Sequence, residues 1–530
     1  MADFLYSFSK QTNNNSNLNG LYNNKFCDPN GLSILFNDNT ITNLLIGDNR
    51  LIILGYVNCI GMSINEYFNN ILLDFNEDKI TDIKKTLHGQ YILLLLVKNK
   101  LYILADFLQS RPIYYSFENK IICSRYSEIC QLTSDNSFND YKIFEYLAMK
   151  HIVYPSFLSN TTLNDGIYRL RAYEYLKINL DNGQIEVCDL KFEINNKKNY
   201  SLDNISNITE SKLKSLIYHP DFKDKKIGLT LTGGFDSRLI SFIAKEYYSN
   251  SYFRVAVNKG SASKDYSIAK RISRISNKEL MVFENDPNIH QIFFYKITDG
   301  FSPKENSIIT PLVIENVFDL GIGGVFGTEL YNTINFNSVE DFIKCSVDNI
   351  KNKFINADIN ITKLRKEIIN EFEQLKLHYY FVEENEKDLI RLFILNSTAS
   401  FNTTILSAYN IKGNNYEPYG TFPIIELGFQ IPDKFAKICK YGNKFMVQKS
   451  IMYRLNKRVS IIQSTRYAPL SPLNVFSLFS YLVGHNNLIK DIKKGVFDEI
   501  KNPKEIIIND WKYLSDDWCE GFIDKYVYKK

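Results

Sequence analysis

The feature that most constrains this chain is a change of pattern near residue 200. From Ile227 onward, short apolar segments alternate with amphipathic stretches of helical length. The pattern predicts strands at 227–231, 253–257 and 280–283, separated by helices at 238–248 and 265–276. Strands that alternate with helices in this way usually form a parallel sheet, because each helix returns the chain to the edge where the next strand begins. We therefore expect an α/β domain over residues 200–530.

The chain before residue 195 consists mostly of predicted short strands. Runs of β-branched, aromatic and leucine residues are separated by Asn, Asp, Gly and Lys-Asn, which is typical of a sheet-rich domain. The predicted strands are 34–36, 51–57, 90–97, 100–106, 112–117, 120–124, 173–180 and 184–188, with a helix at 140–149. The polar stretch 195–203 indicates a boundary, so we expect a first domain at residues 1–195 and a second at 200–530.

The first strand of the α/β part runs into two glycines and then directly into a helix. The segment reads Leu231-Thr-Gly-Gly-Phe-Asp-Ser237. Gly233 and Gly234 let the backbone approach a bound anion, successive amide N–H groups form a nest, and the helix N-terminus adds its positive end. The segment has neither the G-K-[ST] of a Walker loop nor the G-x-G-x-x-G of a dinucleotide site. It predicts a phosphate-binding loop of another kind.

Asp236 adds a negative charge to this predicted anion site. That charge is compatible with bound phosphates when a cation such as Mg²⁺ lies between them. The alternative interpretation is purely structural: the two glycines would form a turn, and Asp236 would cap the helix.

Several segments, in order along the chain, resemble motifs of one enzyme family. Thr232 to Ser237 resembles the S-G-G-x-D-S pyrophosphate loop of the asparagine synthetase family, whose relatives include the β-lactam synthetases and the lasso-peptide cyclases. Upstream, 87–94 and 104–115 are similar to the L-x-G-x-F-A and R-D-x-x-G-x-x-P-L-Y-Y segments of the family's N-terminal domain. Downstream, 256–265 resembles the second ATP loop, 324–330 the G-x-G-x-D-E segment, and 418–432 the P-F-L-D segment.

The resemblance implies a fold and a set of site residues. The fold would be α/β: an N-terminal Ntn-type sandwich of β-sheets and helices, followed by a C-terminal PP-loop ATP pyrophosphatase domain. The resemblance implies ATP and Mg²⁺ as cofactors, and the residues implied to hold the phosphates and the metal are Thr232, Gly233, Gly234, Asp236, Ser237 and Glu329. Leu231, Val257 and Gly327 would border the adenosine. Glu329 would be the second carboxylate at the metal, although its G-T-E spacing departs from the family's D-E pair and also suits a surface carboxylate.

Two parts of the family pattern are missing. The chain opens Met1-Ala2-Asp3, without the cysteine that attacks glutamine in glutamine-using members, so we expect an inactive glutaminase domain. The family's C-terminal catalytic lysine is not recognisable in the corresponding stretch, 460–469. Arg466 in that stretch could stabilise a developing charge but cannot act as a base, and an ordinary salt-bridging role is the alternative. Tyr331 is a candidate orienting hydroxyl, with a core aromatic residue as the alternative.

Composition excludes several other classes of protein. The 530 residues carry 63 basic and 59 acidic side chains, a net charge of +4, without the concentrated positive field that nucleic-acid binding needs. The eight cysteines are scattered without a C-x-x-C pair, which argues against a cysteine-built metal site. The sequence has neither a secretion signal at its start nor an apolar run long enough to span a bilayer. We expect a cytoplasmic protein that binds neither nucleic acid nor membrane.

The activity that the resemblance implies is ATP-dependent formation of an amide bond. A carboxylate would attack the α-phosphorus of ATP, pyrophosphate would leave into the loop, and the acyl group would pass from AMP to an amine or to ammonia. The carboxylate would be a small molecule or a peptide of glycan or specialised-metabolite biosynthesis. Three alternatives stay open: a peptide macrolactam synthetase, an ammonia-dependent asparagine synthetase, and a non-catalytic scaffold that binds nucleotide. A homodimer or a complex with a pathway partner is also compatible with the sequence.

Overall fold

The computed structural model describes most of the chain. The described residues are 4–7, 24–27, 33–36, 41–46, 49–133, 139–153, 156–258, 263–286, 312, 317–331, 336–351, 358–409, 414–436, 446–460 and 462. Within these ranges, no helix combines the length and the apolar character needed to cross a bilayer.

The first part of the chain forms two antiparallel sheets. Its described strands are β1 (Phe4–Ser7), β2 (Asn24–Cys27), β3 (Ser33–Phe36), β4 (Ile41–Ile46), β5 (Asn49–Cys59), β6 (Leu87–Val97), β7 (Lys100–Ala105), β8 (Tyr114–Ser116), β9 (Ile121–Cys123), β10 (Tyr168–Arg169), β11 (Glu174–Asn179) and β12 (Ile185–Asp189). One sheet has the strand order β10-β8-β9-β1-β3-β2, and the other has the order β12-β11-β7-β6-β5-β4.

The two sheets pack face to face with helices outside them. Helices α1 (Ile64–Leu72) and α2 (Lys79–Thr86) pack against β5 and β6, and α3 (Tyr126–Leu132) packs against β8 and β9. The interior contains buried side chains from both sheets. Because β6 is covered on both faces, its sequence is a nearly continuous apolar run rather than an alternating one. This arrangement confirms the predicted sandwich of sheets and helices.

The second part of the chain is built on a five-stranded parallel sheet. Its strands are β14 (Ile227–Thr230), β15 (Ser251–Asn258), β16 (Leu280–Asn285), β17 (Leu320–Ile322) and β19 (Asn414–Tyr416). They lie in the order β16-β15-β14-β17-β19. After β14, the strands β15 and β16 are added on one side of it, and β17 and β19 are then added on its other side. The strand order therefore reverses between β14 and β17. In open parallel sheets such a switch point leaves a crevice at the carboxyl ends of the strands, where ligands bind.

Helices occupy most of the remaining described chain. They are α4 (Asp140–Met149), α5 (Leu202–Ile217), α6 (Phe235–Ala244), α7 (Lys264–Ser276), α8 (Gly327–Tyr331), α9 (Val339–Lys351), α10 (Asp358–His378), α11 (Glu386–Tyr409), α12 (Phe422–Gln430), α13 (Asp433–Ala436), α14 (Met446–Leu455) and α15 (Lys457–Ser460). Two short strands, β13 (Phe192–Ile194) and β18 (Tyr379–Phe381), pair in parallel. The ion pairs Lys142–Glu367 (2.8 Å) and Arg171–Glu371 (2.9 Å) also join the sandwich region to α10.

The predicted fold class is confirmed, and most element positions agree with the sequence pattern. The helix predicted at 140–149 is α4 to the residue. The helix predicted at 238–248 was placed too late, because it begins at Phe235 and ends at Ala244. The physical reason is that Gly234 adopts an extended conformation (φ −73°, ψ 166°) and serves as the N-cap, so the helix starts inside the motif.

A buried arginine crosses the parallel sheet. Arg254 on β15 donates from Nε to Thr230 Oγ1 (3.1 Å) and from Nη2 to Asn415 Oδ1 on β19 (2.9 Å). Its side chain passes Gly228 of β14 and Gly321 of β17. An added methyl group would lie 3.0 Å from the arginine Cδ at the first glycine and 2.3 Å from Nη2 at the second. The two glycines therefore provide the space that the arginine occupies.

The substitution Gly321→Ala should destabilise the protein. The added methyl group must displace the Arg254 guanidinium and the Asn415 amide oxygen, and overpacking of this kind typically costs about 1–3 kcal/mol. Urea unfolding should show this loss. In the double variant with Arg254→Ala, the total loss should be smaller than the sum of the two single losses, because one of the displaced groups is gone. Strictly additive losses would contradict this packing.

Candidate functional site

The loops that follow β14, β17 and β19 meet at the carboxyl edge of the parallel sheet. Residues 232–237 follow β14, and residues 323–327 follow β17. A methyl group added at Gly324 would lie 2.5 Å from the Ser237 amide nitrogen, and one at Gly327 would lie 2.4 Å from Asp236 Oδ1. The two segments therefore touch through positions that only glycine can occupy without displacement. The contact lies at the switch point of the sheet.

Hydroxyl groups close the loop 232–237 on itself. The Thr232 amide donates to Ser237 Oγ (3.2 Å), and the two hydroxyl oxygens lie 2.7 Å apart. The Gly234 amide donates to Thr232 Oγ1 (3.2 Å). These bonds fix the loop conformation independently of any ligand. At the N-terminus of α6, no side chain caps the helix, so the positive end of the helix faces the loop without a protein acceptor at the N-cap.

The amide of Gly233 already donates to an anionic oxygen. It hydrogen-bonds Asp265 Oδ1 at 2.7 Å. Asp265 lies near the start of α7, at the end of the segment 256–265 that resembles a second ATP loop. A phosphate oxygen could accept the same hydrogen bond, since the geometry suits any acceptor that carries negative charge. Binding of a phosphate at this amide therefore requires Asp265 to release it.

A fully buried arginine supports the loop from the protein interior. Arg238 donates from Nη2 to the Gly233 carbonyl (3.2 Å) and from Nη1 to the Ile462 carbonyl (2.8 Å). Burial lowers the pKa of the guanidinium to about 9. Ser241 Oγ donates to the Thr230 carbonyl (2.8 Å), which ties α6 to the preceding strand. The loop is thus anchored through the carbonyl of Gly233 and through the strand that precedes it.

Asp236 is held by two neutral donors. Thr328 Oγ1 donates to Oδ2 at 2.8 Å, and the side-chain amide of Gln448 donates to Oδ1. Burial raises the pKa of the Asp236 carboxyl to about 6, against the opposing effect of the two hydrogen bonds. Asp236 is half-buried, and a half-buried carboxylate that is bound by neutral partners fits a position that a cation would neutralise.

The described residues offer no complete metal cage. Among them, no group of three or more His, Cys, Asp or Glu side chains could hold a metal ion. Mg²⁺ is usually held by one or two carboxylates and takes its other ligands from substrate phosphates and water. Asp236 beside the loop fits this mode of binding. Glu329 lies two residues after Gly327 on α8, but its side chain lies outside the described structure.

The other residues predicted from sequence have the following positions. Leu231 and Val257 are buried near the carboxyl ends of the adjacent strands β14 and β15. Gly327 packs against Asp236. Tyr331 ends α8, and its side chain is not described. Arg466 lies outside the described residues.

Sequence reasoning did not single out Asp265, Thr328, Arg238 or Gln448. Asp265 and Thr328 lie inside segments that resemble family motifs, and Arg238 directly follows Ser237. The sequence therefore placed these three residues near the predicted site, but it did not indicate what their side chains contact. Gln448 lies on α14, 212 positions after Asp236. No local pattern connects the two residues.

No protein-family profile matches this chain, and no curated protein matches it. Among solved structures, glutamine phosphoribosylpyrophosphate amidotransferase from B. subtilis, complexed with ADP and GMP, matches at 11% identity and a TM-score of 0.20, over 48% of this chain and 51% of its own. Glutamine-dependent NAD⁺ synthetase from Acinetobacter baumannii, in complex with ADP, matches at 12% identity and a TM-score of 0.20, over 47% of this chain and 58% of its own. U34-tRNA thiolase from Methanococcus maripaludis matches at 11% identity and a TM-score of 0.22, over 61% of this chain and 81% of its own.

This chain spans about half the length of the amidotransferase. Similarity at these TM-scores does not establish an activity for this chain.

The substitution Asp236→Asn should stabilise the protein at alkaline pH when no ligand is bound. The folded-state pKa of about 6 lies above the ordinary value of 3.8, so the ionised carboxylate opposes folding above pH 6. Removing the charge should raise the free energy of unfolding at pH 8 by about 1–3 kcal/mol, and this gain should shrink as the pH falls below 6. Urea unfolding at pH 8 and pH 5 measures both effects.

The exposed carboxylate Asp319 provides the control, because Asp319→Asn removes a charge at the opposite edge of the same sheet. It should give no comparable gain. A loss of stability in Asp236→Asn at pH 8 would show that the carboxylate already has a compensating charge in the unliganded protein.

Proposed function

We propose that this chain is an ATP-dependent carbon–nitrogen ligase that releases AMP and pyrophosphate. The observation that carries the proposal is the loop 232–237 at the switch point of the parallel sheet. Its Gly233 amide donates to an anionic oxygen, and the neighbouring Asp236 carboxylate has neutral hydrogen-bond partners. These are the two features that a magnesium triphosphate requires: amides for the phosphate oxygens and a carboxylate for the metal.

The predicted site residues take defined roles in this proposal. Thr232, Gly233, Gly234 and Ser237 bind the β- and γ-phosphates, and Leu231, Val257 and Gly327 border the adenosine. Asp236 would hold Mg²⁺, with Glu329 as the second carboxylate. Bound there, the metal would neutralise negative charge on the departing pyrophosphate.

The chemistry follows from the position of the phosphates. An oxygen of the substrate carboxylate attacks the α-phosphorus, and the bond from that phosphorus to the bridging oxygen breaks, so pyrophosphate departs toward the loop. The resulting acyl adenylate is then attacked at its acyl carbon by an amine, which loses a proton as AMP leaves. The protein contributes mainly position and charge stabilisation. Tyr331 and Arg466 are proposed to orient the substrate and to stabilise charge in the second step.

The resemblance to asparagine synthetases and their relatives leaves the carboxylate substrate as a small molecule or a peptide, and the nitrogen donor as an amine or ammonia. A peptide macrolactam synthetase, an ammonia-dependent asparagine synthetase and a nucleotide-binding scaffold remain the alternatives. They differ in which acid, if any, stimulates pyrophosphate exchange.

ATP–pyrophosphate exchange tests the proposal. The wild-type protein should incorporate labelled pyrophosphate into ATP when its carboxylate is present, and aspartate, uronic acids and a peptide library cover the proposed classes. Asp236→Asn should lower the exchange rate by at least about 100-fold, because the developing charge on pyrophosphate loses its metal-bound counter-charge. Asp319→Asn is the matched control and should exchange at the wild-type rate. Exchange that persists in Asp236→Asn would contradict the proposed site.

A further inference from the structure

Glu417 is a buried carboxylate that no sequence motif singled out. It follows β19 directly and is 7% exposed. Its Oε2 accepts a hydrogen bond from the Val325 amide at 2.7 Å. A methyl group added at Gly323 would lie 2.1 Å from Oε1, so the carboxylate packs directly against the backbone of residues 323–325.

The segment that Glu417 contacts is the one that reaches Asp236. Gly324 touches the Ser237 amide, Gly327 touches the Asp236 carboxylate, and Thr328 donates to it. Residues 323–328 therefore form a continuous connection between Glu417 on one side and Asp236 on the other.

This segment contains a strained residue. Phe326 has φ of +75°, in the left-handed region that non-glycine residues rarely adopt. Such a conformation is unfavourable for a residue with a side chain and persists only where the surrounding structure enforces it. The Phe326 ring is buried, and the residue directly before it is the one whose amide donates to Glu417. The hydrogen bond from Val325 to Glu417 therefore restrains the backbone directly before the strained residue Phe326.

The charge on Glu417 has a partner in the sheet. Burial raises the pKa of its carboxyl to about 7, while the Val325 amide and the nearby Arg254 guanidinium favour the ionised form. Arg254 is the arginine that crosses the sheet over Gly228 and Gly321. A hydrogen bond to an ionised acceptor is roughly twice as strong as one between neutral groups.

We propose that Glu417 is a positioning residue for the phosphate site. Its carboxylate holds Val325, which keeps Phe326 in its left-handed conformation and keeps Gly327 and Thr328 in contact with Asp236. The effect on Mg·ATP rests on the proposed function, whereas the effect on the backbone does not.

Hydrogen exchange of the backbone amides tests the structural part. In Glu417→Ala, amides in the peptides covering 323–328 and 234–240 should exchange at least about tenfold faster than in wild type. Glu417→Gln keeps the shape and an acceptor but loses the charge, so it should give a smaller increase, about threefold, in the same two peptides. The inference is overturned if both variants leave residues 323–328 unchanged, or if only that peptide changes. Should the alanine variant fail to fold, the glutamine variant decides by the same criteria.

Asp319→Ala is the matched control. Asp319 Oδ2 accepts the Lys226 amide at 2.8 Å and so joins the approaches to β17 and β14 at the opposite edge of the same sheet. Removing it deletes the same kind of bond between neighbouring segments. Both peptides should then exchange within about twofold of wild type. An equal increase in this control would mean that the effect of Glu417 is general destabilisation.

Calorimetric titration with ATP, with and without Mg²⁺, tests the functional part. Glu417→Ala should weaken binding of Mg·ATP at least about tenfold and should reduce the gain in affinity that Mg²⁺ provides, because misplaced Asp236 no longer holds the metal. Wild-type affinity in that variant, together with faster exchange, would overturn the inference. If the wild-type protein binds no Mg·ATP, the proposed function fails, while the exchange data still decide whether Glu417 holds the segment.

Discussion

The close contact between the loop after β14 and the glycine segment after β17 is the constraint on which the site depends. Gly324 and Gly327 bring the second segment against Ser237 and Asp236, at distances that no larger residue allows. This contact places a carboxylate, a helix N-terminus and a set of backbone amides together at the switch point of the sheet. The proposed site for phosphate and Mg²⁺ lies in the crevice that parallel sheets offer at this position, and it depends on the meeting of the two loops there.

The same arrangement costs stability. Asp236 is a half-buried carboxyl group and Glu417 a buried one, both have raised pKa values, and Phe326 has a strained backbone. Arg238 and Arg254 are buried arginines whose guanidinium groups donate to backbone and side-chain oxygens. Perturbed pKa values and backbone strain concentrate at functional sites, where binding of a ligand offsets their cost. Their occurrence together at one edge of the sheet supports the assignment of that edge as the site.

The fold class was predictable because periodicity is a local property. The alternation of strand and helix after Ile227 indicated a parallel sheet. The pattern at 140–149 predicted both ends of α4 correctly. Contacts between distant segments were not predictable in the same way. Gly228 and Gly321 look like ordinary strand glycines until Arg254 is placed across them, and Gln448 reaches Asp236 from a helix 212 positions away. Motifs identified the loop, but the side chains that orient it come from parts of the chain with no recognisable pattern.

The central claim is that the loop 232–237 binds the triphosphate of ATP through main-chain amides and a metal held by Asp236. A crystal structure with Mg²⁺ and α,β-methylene-ATP tests it most directly. The account predicts phosphate oxygens on the amides of Gly233 and Gly234, in place of Asp265 Oδ1 and Thr232 Oγ1, and Mg²⁺ between Asp236 and the phosphates. A loop without nucleotide, with the Gly233 amide still bonded to Asp265 at saturating ligand, would contradict it.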